Sequence, residues 1–597
     1  MRKLKDSNNQ KSLKNQIWQK KNFNVSLKTT IKENFNASNL VAELLAMRFD
    51  NLAEIRNYVT PTIKNNMEDP YNLNYLEEIT AIIIKAINSN KKIAIFGDYD
   101  VDGATSSALL KNYFKALNIE SRIYIPDRIE EGYGPNTNAF KILKAENYDL
   151  VITVDCGATA FEPILEGKKM GLEIIVIDHH LASGIKPEAL AIINPNQDDD
   201  KSNYGYLCAA GVCFLVLVAL QRKLKEAGFF HRKKEPNLLD FLDIVALGTV
   251  CDVVPLIKLN RAFVAAGLKK MRNNPSIGIK ALAASASLDL KEIESYHLGF
   301  ILGPRINAGG RVGEASLGAK LLSEINLEKS YEIAAKLEIH NQERKAIEMQ
   351  VEKEALAMIE KNKLAENSII ICHNLEYNYW HPGVIGIVAA RIKEKYNLPT
   401  AVISFDNKIG KASARSINGV DLGRAIIKAR ENNYLQNGGG HEMAAGFTVT
   451  SENLEEFSNY INKLLKEETE QALKNQIIEY DYDFAVSALN LNLLQEIKIL
   501  APYGAHNSEP KFKLSNCVII YKKILAEKHL KLTIADAASG LYGSKIDAIL
   551  WKAKDSLLLD YINKNPQANY SFLGSLQINK WQDRENLQFI IEDIKAE

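Results

Sequence analysis

Asp98, Asp100 and Asp102 stand at every second position directly behind the apolar run Lys92-Ile93-Ala94-Ile95-Phe96. An extended backbone turns alternate side chains to one side, so the three carboxylates are expected to converge, and like charges that close call for cations between them. Asp155 follows a second apolar run, in Asp155-Cys156-Gly157, and Asp178-His179-His180 follows a third. Asp252 lies in Cys251-Asp252-Val253-Val254-Pro255, where a carboxylate among apolar neighbours is costly to bury unless a cation pairs with it. Five or more carboxylates with imidazoles suit Mn²⁺ or Mg²⁺ better than a structural zinc. Two ions about 3.5–4 Å apart would turn water into hydroxide and stabilise the charge building on a phosphoryl group, which makes phosphoester hydrolysis the natural reaction class. Asp-x-Asp-x-Asp-Gly also opens calcium loops, but their twelfth position is Glu and here it is Leu109. A solvated acidic loop accounts for one such motif, not for several at successive strand ends.

Strands and helices must alternate to place these groups together. Between residues 91 and 256 the apolar runs Ile93–Phe96, Leu150–Val154, Ile174–Ile177 and Ala191–Ile193 are bounded by turn residues, the pattern of a mostly parallel sheet covered on both faces. Ligands collect beyond the carboxyl ends of such strands. Leu238, Leu239, Leu242, Val245 and Ala246 predict a helix that Gly248 ends, ahead of Asp252. Leu207–Leu220 reads as a buried helix, too short to span a bilayer, and Ser38 caps a short helix through Leu40, Leu44, Leu45 and Met47. Residues 327–364, free of Gly and Pro, predict one long helix linking two lobes. A second α/β unit follows from Ser368 to about Thr450, with a strand at Ile369–Ile371, a helix beginning near Val384 and the cluster Gly438-Gly439-Gly440-His441. From about Ile477, runs such as Cys517–Tyr521, Leu530–Ile534, Ala548–Trp551 and Tyr570–Leu573 suggest a small barrel or sandwich.

The 597 residues, 46% hydrophobic and 25% charged, suffice for several domains with cores of their own. A net charge of +1 makes no chain-wide case for a polyanionic partner. One local patch exists: residues 1–28 carry Arg2, Lys3, Lys5, Lys11, Lys14, Lys20, Lys21 and Lys28 against Asp6 alone. Such an arm is most often a solvated tail, and it lacks the apolar core of a secretory signal. The six cysteines show neither zinc spacing nor a disulfide framework, which fits a reducing cytoplasm. His297 and His373 are read as ordinary residues.

The set GDYDVDG (97–103), VDCG (154–157), DHH (178–180) and CDVVP (251–255) resembles the four motifs of the DHH phosphoesterases. Gly303 to Arg311, His381 to Arg391, and Gly438 to His441 with Ala444-Ala445-Gly446 narrow the resemblance to the single-strand-specific 5′→3′ DNA exonuclease branch, which has a DHHA1 second lobe. It is strong from about residue 90 to 450, and the C-terminal part is similar to an oligonucleotide-binding barrel. The resemblance implies an N-terminal basic arm and short helical region at 1–70, a DHH catalytic domain at 71–325, a linking helix at 326–366, a DHHA1 domain at 367–465 and an OB-like nucleic-acid-binding domain at 470–597. It implies that Asp98, Asp100, Asp102, Asp155, His179 and Asp252 hold two Mn²⁺ or Mg²⁺ ions, Asp155 bridging them. Asp178 then orients His179, and His180 contacts the scissile phosphate or protonates the leaving oxygen.

Related small-substrate enzymes carry histidine where this chain has Phe96, which makes Asp98 the substitute ligand. Substrate falls to Arg305, Asn307, Arg311, His381, Ser413, Arg415, Gly439, Gly440 and His441, the Lys411–Ser416 segment holding the 5′ end. Tyr503, Lys511, Phe512 and Tyr521 could stack on bases and meet phosphates, with core packing an equally good account of most of these aromatics, while Asn507-Ser508 departs from the branch's usual Asn-Pro. The implied activity is release of 5′-mononucleotides in DNA repair and recombination, by a cytoplasmic monomer free of membranes, with a single-strand-binding protein and a helicase as candidate partners. Two rivals remain at this point. A phosphodiesterase of short oligonucleotides or cyclic dinucleotides usually stops after the second lobe, and a decayed, non-catalytic DNA-binding scaffold should have lost its ligands first.

Overall fold

The computed structural model describes residues 11–597 apart from 129, 183, 376–378, 475, 555, 582 and 583. Arg2, Lys3, Lys5 and Asp6 of the basic arm therefore lie outside the described residues. Contacts divide the chain into a larger unit, residues 60–465 with Pro502–Asn507, and a smaller one holding the chain up to Val59, Lys466–Ala501 and Ser508–Glu597. β1 (Ile17–Lys20) belongs to the smaller unit.

The larger unit opens with β2 (Ile93–Gly97), β3 (Ser121–Tyr124), β4 (Leu150–Val154), β5 (Glu173–Ile177) and β6 (Ala191–Ile193), paired in the order β3-β2-β4-β5-β6 and parallel throughout. Every residue of β2, β4 and β6 is buried, which is why these strands read as unbroken apolar runs and not as alternation. β3, with all four residues half-buried, gave no such run. Register pairs Gly97 with Val154 and Val154 with Ile177, so Asp98, Asp155 and Asp178 leave three neighbouring strands at one level. Strand order reverses between β2 and β4, the place where a crevice opens in sheets of this kind.

The helix Ala209–Glu226 is buried along most of its length, and the 35-residue helix Leu327–Lys361 follows the sheet domain. The helix expected to end at Gly248 instead runs through it, over Leu242–Cys251, with Asp252 as its C-terminal cap. The reason is packing: a Cβ at Gly248 would stand 2.4 Å from Thr105 Oγ1 and 3.0 Å from Asp102 Oδ1.

The second lobe of this unit adds β7 (Ile370–His373), β8 (Thr400–Asp406), β9 (Ile409–Arg415), β10 (Asn437–His441) and β11 (Ala444–Thr450), in the order β10-β11-β9-β8-β7. The glycine cluster is thus an edge strand. In the smaller unit, β12 (Ile477–Tyr480) pairs in parallel with β1. β13 (Tyr482–Phe484), β14 (Phe512–Leu525), β15 (His529–Asp536), β16 (Lys545–Leu550), β17 (Tyr570–Trp581) and β18 (Arg584–Ala596) form one sheet that the β14–β17 pairing closes into a barrel. Phe512 is 1% exposed inside that barrel and cannot stack on a base, and Lys511 is tied to Glu592 at 2.6 Å. Tyr521 stands in solvent.

Candidate metal centre

The aspartate triplet converges by a different route from the extended backbone its spacing suggested. Asp98 leaves β2, and Asp100 caps the helix Val101–Ala116 by accepting from Gly103 N at 3.0 Å. Asp102 sits in the first turn of that helix, where its carboxylate accepts from Ala209 N at 2.6 Å and Ala210 N at 3.0 Å. Asp155 has φ +61°, a left-handed conformation that short polar side chains tolerate. That turn brings its carboxylate to the same point: Asp155 Oδ1 lies 3.2 Å from His179 Nε2. Asp252 Oδ2 lies 3.6 Å and Asp102 Oδ2 3.8 Å from the same nitrogen.

Among the described residues, ligand atoms within reach of one another form three groups: Asp98 with Asp100 and Asp155, Asp102 with His179 and Asp252, and Asp155 with His179 and His180. Four buried atoms in them, Asp98 Oδ1, Asp155 Oδ1, His179 Nε2 and Asp252 Oδ2, have no hydrogen-bond partner. Unpaired acceptors crowded in a buried site are strongly unfavourable unless cations satisfy them, and an oxygen-rich set with one imidazole suits Mn²⁺ or Mg²⁺.

The charges respond accordingly. Burial, and then Asp100, pushes Asp98 up to about 7. Burial, with Asp102 and Asp100, pushes Asp252 up to about 9. Asp155 is raised well above the usual carboxylate range by burial and four neighbouring aspartates, and burial raises Asp102 as well. Raised carboxylate pKa values mean that the folded, metal-free chain holds protons more tightly than the unfolded chain. Stability is then full near pH 4 and lost as pH rises through about 7 and about 9. Divalent cations compete with protons for the same oxygens. The gain in unfolding temperature on adding Mg²⁺ is therefore expected to grow between about pH 5 and pH 8.5; calorimetry showing a constant gain would count against these ligands.

Asp178 has another partner than the sequence suggested. It accepts from His180 Nδ1 at 2.8 Å, and from the backbone of His179 at 2.7 Å and Ala158 at 2.9 Å. It therefore fixes the His180 ring and the turn, not the His179 ring. Although burial opposes it, Asp178 raises His180 to about 9, with Asp252 and Asp100 assisting. The ring is half-exposed beside the carboxylates. Tyr133, which gave no signal in the sequence, donates to Asp155 O at 3.3 Å and stands 3.4 Å from His180 Nδ1.

Beside the carboxylates lies a positive group. Arg311 is on the helix Gly303–Val312, whose Gly310 would place a Cβ 2.7 Å from Tyr99 O. It donates to Gly383 O at 2.8 Å, which joins the two lobes of this unit. Burial, followed by Arg128 and Arg344, pushes Arg311 down to about 10. Burial and then Arg128 lower both Arg415 and His381. Arg128, which no motif in the sequence marks, lies over the Tyr99 ring at 4.9 Å. Arg415 donates to Ser413 Oγ at 3.2 Å. Arg305 is placed apart, in an ion pair with Glu338 at 2.6 Å. Asn307 is one turn before Arg311 on the same helix. Gly439, Gly440 and His441 lie on the edge strand β10.

Three family models match the chain: the DHH family N-terminal domain over residues 92–249, the DHHA1 domain over 368–467 and the RecJ OB domain over 480–593. The chain is 31% identical over 568 residues to the single-stranded-DNA-specific exonuclease RecJ of Bacillus subtilis, covering 94% of this chain and 69% of that protein. It is 32% identical over 546 residues to the RecJ of Haemophilus influenzae, covering 89% and 92%. Among solved structures, RecJ from Thermus thermophilus in complex with Mn²⁺ superposes with a TM-score of 0.79 at 25% identity, covering 97% of this chain and 79% of that one.

Proposed function

The chain belongs to the RecJ family of single-stranded-DNA-specific exonucleases, and on that footing we propose that it releases 5′-mononucleotides from the 5′ end of single-stranded DNA in repair and recombination. The observation that carries this reading is the row of unpartnered ligand atoms on Asp98, Asp155, His179 and Asp252 near the partly buried guanidinium group of Arg311.

Asp98, Asp100, Asp102, Asp155, His179 and Asp252 would hold two Mn²⁺ or Mg²⁺ ions, and the Asp155 carboxylate belongs to two of the ligand groups. When bound, the cations acidify water and neutralise charge on the phosphoryl oxygens. The water oxygen forms a bond to phosphorus as the bond to the 3′ oxygen of the first nucleotide breaks. His180, protonated and held by Asp178, is placed to give that oxygen its proton. The phosphate stays on the shortened strand as a new 5′ phosphate. Arg128, Arg311, Ser413 and Arg415 supply donors and charge for such a terminal phosphate, so each turnover regenerates the group they bind.

Gly386 provides a check on that grip. A Cβ there would stand 2.9 Å from Ser413 Oγ and 3.3 Å from Arg415 Nη2. Gly386→Ala is expected to raise KM for a 5′-phosphorylated strand about tenfold, a loss of about 1.4 kcal/mol, with little change for a 5′-hydroxyl strand. Equal effects on both would detach Ser413 and Arg415 from the phosphate.

No helix among the described residues is long and apolar enough to cross a membrane. A cytoplasmic location, a monomeric chain, and encounters with a single-strand-binding protein and a helicase complete the reading, all consistent with a single-stranded DNA substrate. Hydrolysis of strands labelled at either end is the test. A 5′ label should appear at once in mononucleotide, while a 3′-labelled strand shortens stepwise. Products from the 3′ end, or a strong preference for dinucleotides over long strands, would overturn it.

A further inference from the structure

Helix Leu242–Cys251 ends at the metal-site residue Asp252, and a π-helical turn, Leu298–Leu302, packs against that end. Cys251 Sγ donates to Leu298 O at 3.3 Å, and a Cβ on Gly303 would stand 2.5 Å from the same sulfur. Leu298 and Leu302 are fully buried. On the opposite side of the turn, Tyr296 is 60% and Phe300 71% exposed. Their rings are stacked, with centroids 4.9 Å apart and planes 24° from parallel. Val253, directly after Asp252, is 70% exposed and has φ +61°. A β-branched residue there is strained, and strain of that kind collects at functional sites.

Two large rings kept in water beside a metal centre call for an occupant. Two rings are too small an apolar area to seat a protein partner, but they match the face of one or two nucleobases. A strand whose scissile phosphate reaches Asp252 must also continue past it, and the turn that carries Phe300 is held at Leu298 to Cys251, the residue before Asp252. We propose that Tyr296 and Phe300 form a stacking platform for bases of single-stranded DNA on the 3′ side of the scissile phosphate. Stacking requires only a π face, so the platform binds without sequence preference. Ser295 Oγ donates to the Tyr503 carbonyl at the foot of the platform, and Leu256 N to Ala505 O at 2.8 Å, which anchors the surrounding chain. The inference rests on the exonuclease reading above.

The test compares kcat/KM of the full chain on a dinucleotide and on a 20-mer, for the parent, the Tyr296→Ala/Phe300→Ala double variant and Phe300→Trp. In the parent the longer strand gains from the platform. The double variant should lose at least about tenfold of the 20-mer-to-dinucleotide ratio, the change that stacking of one base supplies, and Phe300→Trp should keep it. Abasic sites in the strand just beyond the cleavage position should reproduce the loss in the parent and add nothing in the double variant. An unchanged ratio in the double variant overturns the platform while hydrolysis by the parent leaves the exonuclease reading intact. A parent that hydrolyses neither substrate overturns both.

Discussion

Asp155→Asn is expected to lower the rate of single-strand hydrolysis by roughly a thousandfold or more, the equivalent of several kcal/mol of transition-state stabilisation, while leaving the fold intact. Asparagine matches aspartate in shape and tolerates the left-handed conformation at φ +61°. The change removes one negative charge from a buried cluster in which Asp100, Asp102, Asp98 and Asp178 all push against it. Two measurements should therefore move in opposite directions. In EDTA the variant's unfolding temperature should equal or exceed that of the parent, because a repelled charge has gone. In Mn²⁺ it should fall behind, because the carboxylate shared between ligand groups no longer holds the ion. A variant that cleaves at the parent's rate, or that gains as much stability from Mn²⁺, would remove Asp155 from the centre.

Much of this centre was legible in the sequence because its parts sit at strand ends. Unbroken apolar runs announced β2, β4, β5 and β6, and an acid behind a buried strand has few structural uses. The features that escaped depend on distant packing. Gly248 looks like a helix terminus, yet its lack of a side chain accommodates Thr105 and Asp102, contacts that only the tertiary structure creates. Asp178 pairs with His180 and not with the nearer-seeming His179, because adjacency along the chain cannot say which ring turns back toward a carboxylate. Arg128 and Tyr133 lie in an irregular connection after β3 with no periodicity to mark them. Arg305 and Arg311 look equivalent among their glycines, but Glu338, from the next long helix, pairs with the first, while the second bonds Gly383 O and feels the charge of Asp100. Tyr296 and Phe300 carry no mark in the sequence, since exposure is not visible in spacing.

Asp102→Ala is expected to reduce both activity and stability, in contrast with Asp155→Asn, although the two aspartates share one cluster. The helix Ala209–Glu226 begins at Cys208, whose side chain makes no capping hydrogen bond. Its first backbone donors, Ala209 N and Ala210 N, go instead to the two oxygens of Asp102. That carboxylate is 1% exposed, so no water replaces it when it is removed. Two buried N–H groups left without acceptors cost about 1–3 kcal/mol each, and the negative charge favoured at a helix N-terminus is lost as well. The expected result is a metal-free chain destabilised by about 2–6 kcal/mol in urea unfolding. Asp102→Asn should lie between this variant and the parent, because an amide offers one acceptor oxygen and turns a donor toward the other N–H. Activity should be low in both, since Asp102 belongs with His179 and Asp252 in one ligand group. An Asp102→Ala chain as stable as the parent without metal would mean that this carboxylate serves only a cation. The loss anticipated here makes it the joint between two helices as well, so that the segment carrying one ligand cannot shift without disturbing the helix that anchors it.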